Sequence, residues 1–327
     1  MAPLVFLITG TTSGIGLALV QHVLSRGDKV IATGRNIHTR LADLKTQFPS
    51  DDQLALLELD ITCPLSVLAE KAKEAWSIFG RIDVLLNNAG MSAMCSAEEA
   101  SEEYVKRTLS VNFTGPLNVT QVFLPYIRAY AATSPQSRPV IAYTSSSSQW
   151  TPLPFMSHYA ASKAALSAFV ESLGSELAPV GIDVVAFECG GCPTSLGQPR
   201  GTTGGSDQKE TIQIVAPTNI PEVYEEGLGK LVGMFGRDPM AFMPGDLGRV
   251  AKGMVDVLKR EGKAGELKWA KRVVLGSDAW ESVRFRCEQM LGLLERWREV
   301  SWGTDRDGIR GGADREYLGF GDILGDA

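Results

Sequence analysis

Long apolar runs, excess basic charge and paired cysteines are all scarce in this sequence of 327 residues. No apolar stretch approaches the roughly 20 residues that a membrane-spanning helix needs, so we expect no membrane span. The 32 basic residues are outnumbered by 38 acidic ones, and the net charge is −6. This balance argues against a nucleic-acid-binding protein, which would carry an excess of basic residues. Five cysteines in a chain of this length do not make a disulfide framework, which fits a reducing compartment.

The first residues lack the features of a secretory leader. The apolar segment 4–8 is too short for the core of a signal peptide, and no basic region precedes it. We therefore expect a cytoplasmic protein. The composition, 44% hydrophobic and 21% charged, is that of an ordinary globular chain.

The amino-terminal segment has the order strand, glycine-rich turn and helix. The continuous apolar run 3–8 predicts a strand buried on both faces, and a helical pattern begins at Leu17. Between them lies Thr9-Gly10-Thr11-Thr12-Ser13-Gly14-Ile15-Gly16. Glycines let the backbone approach a pyrophosphate, and the N–H groups and dipole of the following helix favour its charge. A tight turn without a ligand is the alternative, but the flanking strand and helix favour the phosphate site.

The second strand, residues 29–34, is followed by an arginine. In nucleotide-binding sheets an acidic residue at this strand end binds the ribose hydroxyls, whereas an arginine suits a 2′-phosphate. Gly34 occupies the acidic position and Arg35 follows it, so the sequence favours NADP(H) over NAD(H). The alternative is that Arg35 is a solvated charge at a strand end.

Strands and helices alternate along the rest of the chain. Further strands are predicted at 54–59, 82–86, 139–143, 181–187 and 272–276. Helices are predicted at 65–79, 98–130, 164–177, 221–235, 246–259 and 278–300, and Asp278 would be the N-cap of the last one. This order predicts a single α/β domain, a Rossmann-type doubly wound parallel sheet of about seven strands with helices on both faces. Its parts would be a cofactor-binding and catalytic core (1–194), a substrate lid (195–245), the C-terminal helices and last strand (246–300) and a loose tail (301–327).

Tyr159 and Lys163 lie four residues apart at the start of a helical run, and therefore on one helix face. A nearby cation favours the phenolate and lowers the pKa of a tyrosine from about 10, which makes the pair an acid/base. The same spacing also occurs by chance on solvated helix faces. Asn112 lies just before the predicted break of helix 98–130, where it either bends the helix or holds a water near Lys163.

Together these motifs resemble those of the short-chain dehydrogenase/reductase family over about residues 4–194. The matching residues are Thr9-Gly10-x-x-x-Gly14-Ile15-Gly16, Asp60, Asn88-Ala89-Gly90, Asn112, Ser146 and Tyr159-x-x-x-Lys163. Ser146 is chosen from a run of serines because it precedes the tyrosine by thirteen residues. The C-terminal segment is similar to longer members of the family that act on retinoids, steroids and other hydrophobic alcohols or ketones.

The resemblance implies a role for each matching residue. Tyr159 would exchange a proton with the substrate oxygen, and Lys163 would lower the pKa of Tyr159 and bind the nicotinamide ribose. Ser146 would hydrogen-bond the reacting oxygen, and Asn112 would hold a water that links Lys163 to solvent. The cofactor would be lined by Gly10, Thr12, Ser13, Gly14, Ile15, Gly16, Arg35, Asp60, Ile61, Asn88, Ala89, Gly90, Val111, Tyr159, Lys163, Gly190 and Thr194.

One loop departs from the family pattern. Cys189-Gly190 stands where the family usually has Pro-Gly, so we expect a more flexible loop beside the nicotinamide. With Cys192 it forms a C-x-x-C pair, a spacing found in redox dithiols and in zinc sites. The other cysteines and the histidines are scattered: Cys63, Cys95, Cys287, His22, His38 and His158. We therefore expect structural cysteines and no metal site.

The expected function is that of an NADPH-dependent oxidoreductase. It would reduce a ketone or aldehyde, or oxidise the corresponding alcohol, of a medium-sized hydrophobic substrate. Apolar side chains that would line its pocket, each of which also suits core packing, are Trp150, Phe155, Met156, Met234, Phe235, Phe242 and Met243. Epimerase or dehydratase-type chemistry on the same fold, or a non-catalytic NADP-binding protein, are the alternatives. The resemblance also implies a homodimer or homotetramer.

Overall fold

Seven parallel strands form the centre of the molecule. The computed structural model describes residues 3–50, 52–92, 94–134, 137–194, 221–237 and 243–306. The strands are β1 (Val5–Thr9), β2 (Lys29–Gly34), β3 (Leu54–Glu58), β4 (Val84–Asn87), β5 (Val140–Ser146), β6 (Asp183–Cys189) and β7 (Arg272–Leu275). They pair in the order β3-β2-β1-β4-β5-β6-β7, so the winding reverses between β1 and β4. At such a reversal the carboxyl ends of the strands open a crevice that binds ligands.

Helices cover both faces of this sheet. They are α1 (Gly14–Ser25), α2 (Ile37–Arg40), α3 (Ala42–Gln47), α4 (Leu65–Phe79), α5 (Glu102–Leu109), α6 (Gly115–Thr133), α7 (Ser157–Leu177), α8 (Glu222–Arg237), α9 (Leu247–Lys259) and α10 (Ser277–Trp302). The predicted doubly wound α/β fold is confirmed. The short helices α2 and α3 were not expected, because four and six residues are too few for a clear apolar period.

The core has two halves, one on each side of the sheet. Residues of α4, α6 and α7 pack on one face, and residues of α1 and α9 pack on the other. Every residue of β1 is buried, as the apolar run 3–8 predicted for a strand with helices on both sides. Burying each large aliphatic side chain contributes about 1.5–3 kcal/mol, so these two layers hold the strand ends in place.

The fifth strand is longer than its apolar residues predict. It continues through Thr144 and Ser145 to Ser146, whose register partner is Cys189 on β6. The parallel ladder to β6 supplies hydrogen bonds that a serine run in a loop would lack. Ser146 therefore occupies the rigid end of a strand.

The predicted break in helix 98–130 is a π-helical turn. Residues Ser110–Thr114 form this turn between α5 and α6, and Asn112 lies within it, buried. Such turns are frequent at functional sites. Gly115 then lets the start of α6 approach the turn after β3, because a Cβ there would lie 3.0 Å from the carbonyl oxygen of Ile61.

The last helix differs from its prediction. Asp278 is not its N-cap: the cap position is Gly276, and the Asp278 carboxylate accepts a hydrogen bond from the Gly191 N–H at 2.7 Å. Along its length α10 exposes large apolar side chains, among them Trp280, Leu294 and Trp297. Among the described residues, no helix is both long and apolar enough to span a membrane. Most of the predicted lid, including Phe242, and residues 307–327 of the predicted tail lie outside the described residues.

Candidate active site

The glycine-rich turn after β1 is shaped by three glycines. Gly10 and Gly14 have φ of 68° and 55°, in the left-handed region that favours glycine. A Cβ on Gly16 would lie 2.2 Å from the carbonyl oxygen of Gly10, so α1 can start this close to β1 only at a glycine. Thr12, Ser13 and Ile15 complete the turn. The turn thus has the glycine-dependent backbone that the sequence indicated, and its binding of a phosphate stays a prediction.

Asn88 ties the ends of three strands together. Its Nδ2 donates to the carbonyl oxygens of Thr9 (3.0 Å) and Gly10 (3.2 Å). Its Oδ1 accepts from Thr144 Oγ1 on β5 at 3.2 Å. Ala89 beside it touches the turn, since a Cβ on Gly10 would lie 2.7 Å from the Ala89 Cα. The amide that follows β4 therefore braces the sheet edge.

Arg35 lies exposed directly after β2. The acidic group beside it is already engaged, because the Glu58 carboxylate accepts the N–H groups of Asn36 (2.6 Å) and Ile37 (3.0 Å). No ion pair of Arg35 occurs within the described residues. At the next strand end, Asp60 accepts from the backbone and hydroxyl of Thr62. The edge near β2 and β3 thus presents a cation whose charge is not matched locally.

Ser146, Tyr159 and Lys163 meet at the carboxyl end of β5. Tyr159 and Lys163 are 7% and 4% exposed, although both carry polar groups. The Lys163 Nζ lies 5.8 Å from the centre of the Tyr159 ring and donates to the Thr144 carbonyl oxygen at 2.7 Å. The Ser146 side chain lies close enough to the Tyr159 phenol to lower its pKa. The structure therefore brings together the three residues that the sequence paired only by spacing.

Burial dominates the protonation of this group. It raises the pKa of Tyr159 to about 12, against the hydrogen bond with Ser146, which lowers that pKa. Burial also lowers the pKa of Lys163 to about 8, which disfavours the ammonium. The expectation that Lys163 holds the Tyr159 pKa below 10 is therefore wrong for the cofactor-free protein. Desolvation by burial is the largest cause of both shifts.

Asn112 is part of a tight polar cluster below Lys163. Its Oδ1 accepts from the Met91 N–H and its Nδ2 donates to the Met91 carbonyl oxygen, both at 2.8 Å. The same Nδ2 donates to Ser162 Oγ at 3.0 Å. The side chain thus fastens the loop after Gly90 to α7, a bracing contact that its predicted water-holding role did not include. Val111, its neighbour in the π turn, is half-buried against the core.

The loop after β6 closes the site from the other side. A Cβ on Gly14 would lie 3.2 Å from Thr194 Cγ2, so Thr194 is seated over the glycine-rich turn. A Cβ on Gly190 would lie 2.2 Å from an oxygen of Asp278, so this position accepts only glycine. Cys189 and Cys192 are free thiols. Burial raises the pKa of Cys189 to about 12 and that of Cys192 to about 11, so neither is an activated thiolate.

A buried carboxylate next to this loop escaped the sequence reasoning. Glu188 is fully buried near the end of β6 and accepts hydrogen bonds from Gln149, Trp150 and Arg272. The one indication in the sequence was an acidic residue ending the apolar run 184–187. Its partners come from segments 39 and 84 residues away in sequence, which spacing alone does not connect.

The rim of the site joins α8 to the segment before α7. Phe155 has φ of 64°, a costly conformation for an aromatic residue, and its ring packs edge-on against Tyr224 at 6.3 Å between centroids. The Tyr224 hydroxyl donates to Glu98 at 3.1 Å. His158 packs on Tyr104 at the same rim. Of the other predicted pocket residues, Met156 and Met243 are half-buried, whereas the side chains of Met234 and Phe235 are not described.

These features fit a dinucleotide at the carboxyl edge of the sheet. The turn at Gly10 and Gly14 exposes backbone N–H groups for a pyrophosphate, and Arg35 supplies a cation beyond β2. A Cβ on Gly90 would lie 3.7 Å from the Lys163 Nζ, an ordinary contact distance, so Gly90 borders the buried lysine. The group of Ser146, Tyr159 and Lys163 lies along the same edge, at the end of β5.

Comparison with known proteins agrees with this geometry. The family model described as short chain dehydrogenase matches residues 4–204. The oxidoreductase BOA17 of Botryotinia fuckeliana is 29% identical over 91% of this chain and 97% of its own length. A 3-ketodihydrosphingosine reductase of Bacteroides thetaiotaomicron is 31% identical over 64% of this chain and 72% of its own. A short-chain dehydrogenase structure from Streptomyces avermitilis has a TM-score of 0.75 at 28% identity, covering 93% of this chain and 99% of that one.

Proposed function

Since the chain belongs to the short-chain dehydrogenase family, an oxidoreductase family that uses NAD(P), we propose that it is an NADPH-dependent carbonyl reductase. Its substrate would be a ketone or aldehyde of medium size and apolar character, and the reverse oxidation of the alcohol would use the same groups. The observation that carries the proposal is the buried group of Ser146, Tyr159 and Lys163 beside an open glycine-rich turn.

The chain's own residues would handle the proton. The bound NADPH supplies the hydride to the carbonyl carbon. Ser146 and Tyr159 hydrogen-bond the carbonyl oxygen, and the phenol O–H of Tyr159 transfers its proton to that oxygen as negative charge develops there. Because the pKa of Tyr159 is raised to about 12, the phenol stays protonated at neutral pH and is ready to act as an acid. Lys163, with its pKa lowered to about 8, is suited to passing a proton back to the phenolate.

The preference for NADPH rests on Arg35. It is exposed at the end of β2, Gly34 leaves the acidic position empty, and Glu58 is engaged with backbone N–H groups. A 2′-phosphate would meet a cation and no free carboxylate there. We expect NADPH to bind at least tenfold more tightly than NADH in fluorescence titrations, and Arg35→Ala to remove the difference. Equal affinities in the unaltered protein would contradict the preference and leave the family assignment intact.

The apolar substrate is supported by the rim of the site. Phe155 and Tyr224 form an aromatic wall, and Trp150 lies just after Ser146. The name of the Bacteroides relative specifies a long-chain keto lipid as its substrate, which is chemistry of the proposed class. We would screen hydrophobic ketones and aldehydes while following NADPH absorbance. Stoichiometric consumption of NADPH separates reduction from epimerase or dehydratase chemistry, which consumes none.

The variant Tyr159→Phe tests the mechanism. It removes the transferable proton and keeps the ring, so we expect kcat to fall at least a thousandfold while NADPH binds within about threefold of normal. Near-normal turnover by Tyr159→Phe would refute the role of the phenol.

We also propose a cytoplasmic location and a homodimer or homotetramer formed through the helices at 98–130 and 157–179, to be tested by a fluorescent fusion and by light scattering.

A further inference from the structure

Glu188 is the most deeply buried acidic group at the functional edge of the sheet, with 0% of its surface exposed. One carboxylate oxygen accepts from Gln149 Nε2 at 2.6 Å and from Arg272 Nε. The other accepts from the Trp150 indole N–H at 2.7 Å. The Arg272 guanidinium also lies over the Trp150 ring at 4.5 Å. These partners are therefore supplied by β7 and by Gln149 and Trp150, the last residue of the turn after β5 and the residue that follows it.

An ion pair with a fully buried carboxylate and a partly exposed guanidinium is weak evidence for a gain in stability. Desolvating the carboxylate and the guanidinium costs about as much as their attraction returns, and an apolar pair of similar size would do as well. Such a network fixes the orientation of the side chains that take part in it, because each donor must point at one carboxylate oxygen. The segment that it orients is Gln149–Trp150, which is joined directly to the end of β5.

A short chain of contacts connects this network to the catalytic group. Residues Ser147–Gln149 form a single 3₁₀ turn, and Ser146 Oγ caps it by accepting the Ser148 N–H at 3.2 Å. Gln149 Nε2 also donates to Ser167 Oγ on α7 at 2.8 Å. The orientation of the Ser146 hydroxyl thus depends on a turn whose far end is held by Glu188.

We infer that Glu188 is a positioning residue that, through Gln149 and Trp150, holds the 3₁₀ turn and so aims the Ser146 hydroxyl at Tyr159 and the substrate oxygen. The inference rests on the proposed reductase function for its catalytic consequence. Glu188 touches neither the predicted substrate oxygen position nor the phenol, so it acts only through the turn.

The test uses Glu188→Gln in the full-length protein. The amide keeps the shape of the carboxylate, but its NH₂ must face one of the three donors, so the turn is released at one end. Glu171→Gln is the matched control. Glu171 is the second carboxylate near Arg272, at 3.4 Å, and its side chain is 43% exposed, so this variant makes the same change in charge without touching the turn. Trp150→Phe removes one donor only and serves if Glu188→Gln folds poorly.

Two measurements separate positioning from a general loss of structure. The first is the indole N–H resonance of Trp150 in ¹⁵N-labelled protein, assigned by its absence in Trp150→Phe. We expect it to shift and to exchange faster with water in Glu188→Gln but not in Glu171→Gln. The second is the comparison of kcat with KM for carbonyl reduction. A misaimed Ser146 hydroxyl weakens the contact with the reacting oxygen in the transition state and leaves the pocket unchanged, so kcat should fall while KM stays within about threefold of normal.

The expected result for Glu188→Gln is a tenfold or greater fall in kcat, with KM and the NADPH affinity within about threefold of normal. Glu171→Gln should change kcat less than twofold. An unmoved Trp150 resonance, or a loss of kcat/KM that comes from KM with kcat unchanged, would overturn the inference. If no carbonyl compound is reduced even by the unaltered protein, the proposed function fails. The resonance then decides alone whether Glu188 holds the turn.

Discussion

Replacing Lys163 by methionine should make the cofactor-free protein more stable at neutral pH while abolishing its catalysis. The lysine is 4% exposed, and burial lowers its pKa to about 8 from the ordinary 10.5. The folded state therefore carries a penalty at pH 7, where the side chain is charged in both the folded and the unfolded protein. Methionine has a similar length and no charge to desolvate.

The size of the effect follows from the pKa difference. The Lys163 pKa falls from 10.5 to about 8, and each unit of pKa corresponds to 1.36 kcal/mol. Burying the charged side chain therefore lowers the free energy of unfolding by ~3 kcal/mol. Methionine also loses the hydrogen bond from Nζ to the Thr144 carbonyl oxygen, which contributes about 1 kcal/mol. We therefore expect Lys163→Met to raise the free energy of unfolding at pH 7 by about 2 kcal/mol.

The pH dependence has a definite sign. Between pH 8 and 10.5 the unfolded chain still holds the lysine proton that the folded protein has released, so stability rises with pH in this window. The advantage of Lys163→Met should shrink from about 2 kcal/mol at pH 7 to less than about 1 kcal/mol at pH 9. The raised pKa values of Cys189 and Cys192 lower stability above pH 9, but they do so in both proteins and cancel in the difference.

Urea denaturation followed by circular dichroism, at pH 7 and pH 9, measures this difference. Lys73→Met, which removes an exposed lysine from α4, controls for the change in net charge. A Lys163→Met protein that is less stable than the unaltered one at pH 7 would refute the reasoning. So would a stability difference that does not change with pH.

Two further predictions concern the glycine-rich turn. Gly16→Ala places a methyl group 2.2 Å from the carbonyl oxygen of Gly10, so the turn must open. Its NADPH affinity should fall at least tenfold in fluorescence titrations, and an unchanged affinity would show that the turn does not bind the cofactor. Asn88→Asp sets a carboxylate oxygen against the carbonyls of Thr9 and Gly10 in place of a donor. Thermal unfolding should report a loss of about 3 kcal/mol, and a loss below about 0.5 kcal/mol would show that these bonds contribute little.

The fold could be predicted because its evidence is local. The apolar runs before Gly10, at β2 and at β4 each mark a strand buried on both faces, and the alternation with helices fixes a doubly wound sheet. The expected break before Gly115 also needed only nearby residues. Strand ends were less predictable, because the extension of β5 to Ser146 depends on hydrogen bonds from β6.

The site was predictable where each residue sits in a motif. Ser146, Tyr159, Lys163 and the glycine-rich turn have fixed spacings, and the structure brings the first three together. Spacing could not give their electrostatics. It indicated a tyrosine with its pKa lowered by a lysine, whereas burial raises the Tyr159 pKa and lowers that of Lys163.

The sequence by itself determined the parallel sheet, the order of its elements and the residues that can carry proton and cofactor chemistry, since these follow from patterns within a few consecutive residues. Only the tertiary structure decided which distant groups support them. Glu188 meets Trp150 and Arg272, and Asp278 meets Gly191 instead of capping α10. Such contacts join segments about 40 to 90 residues apart. Their partners are selected by the packing of whole strands and helices, and burial then sets the charge of the side chains that they enclose.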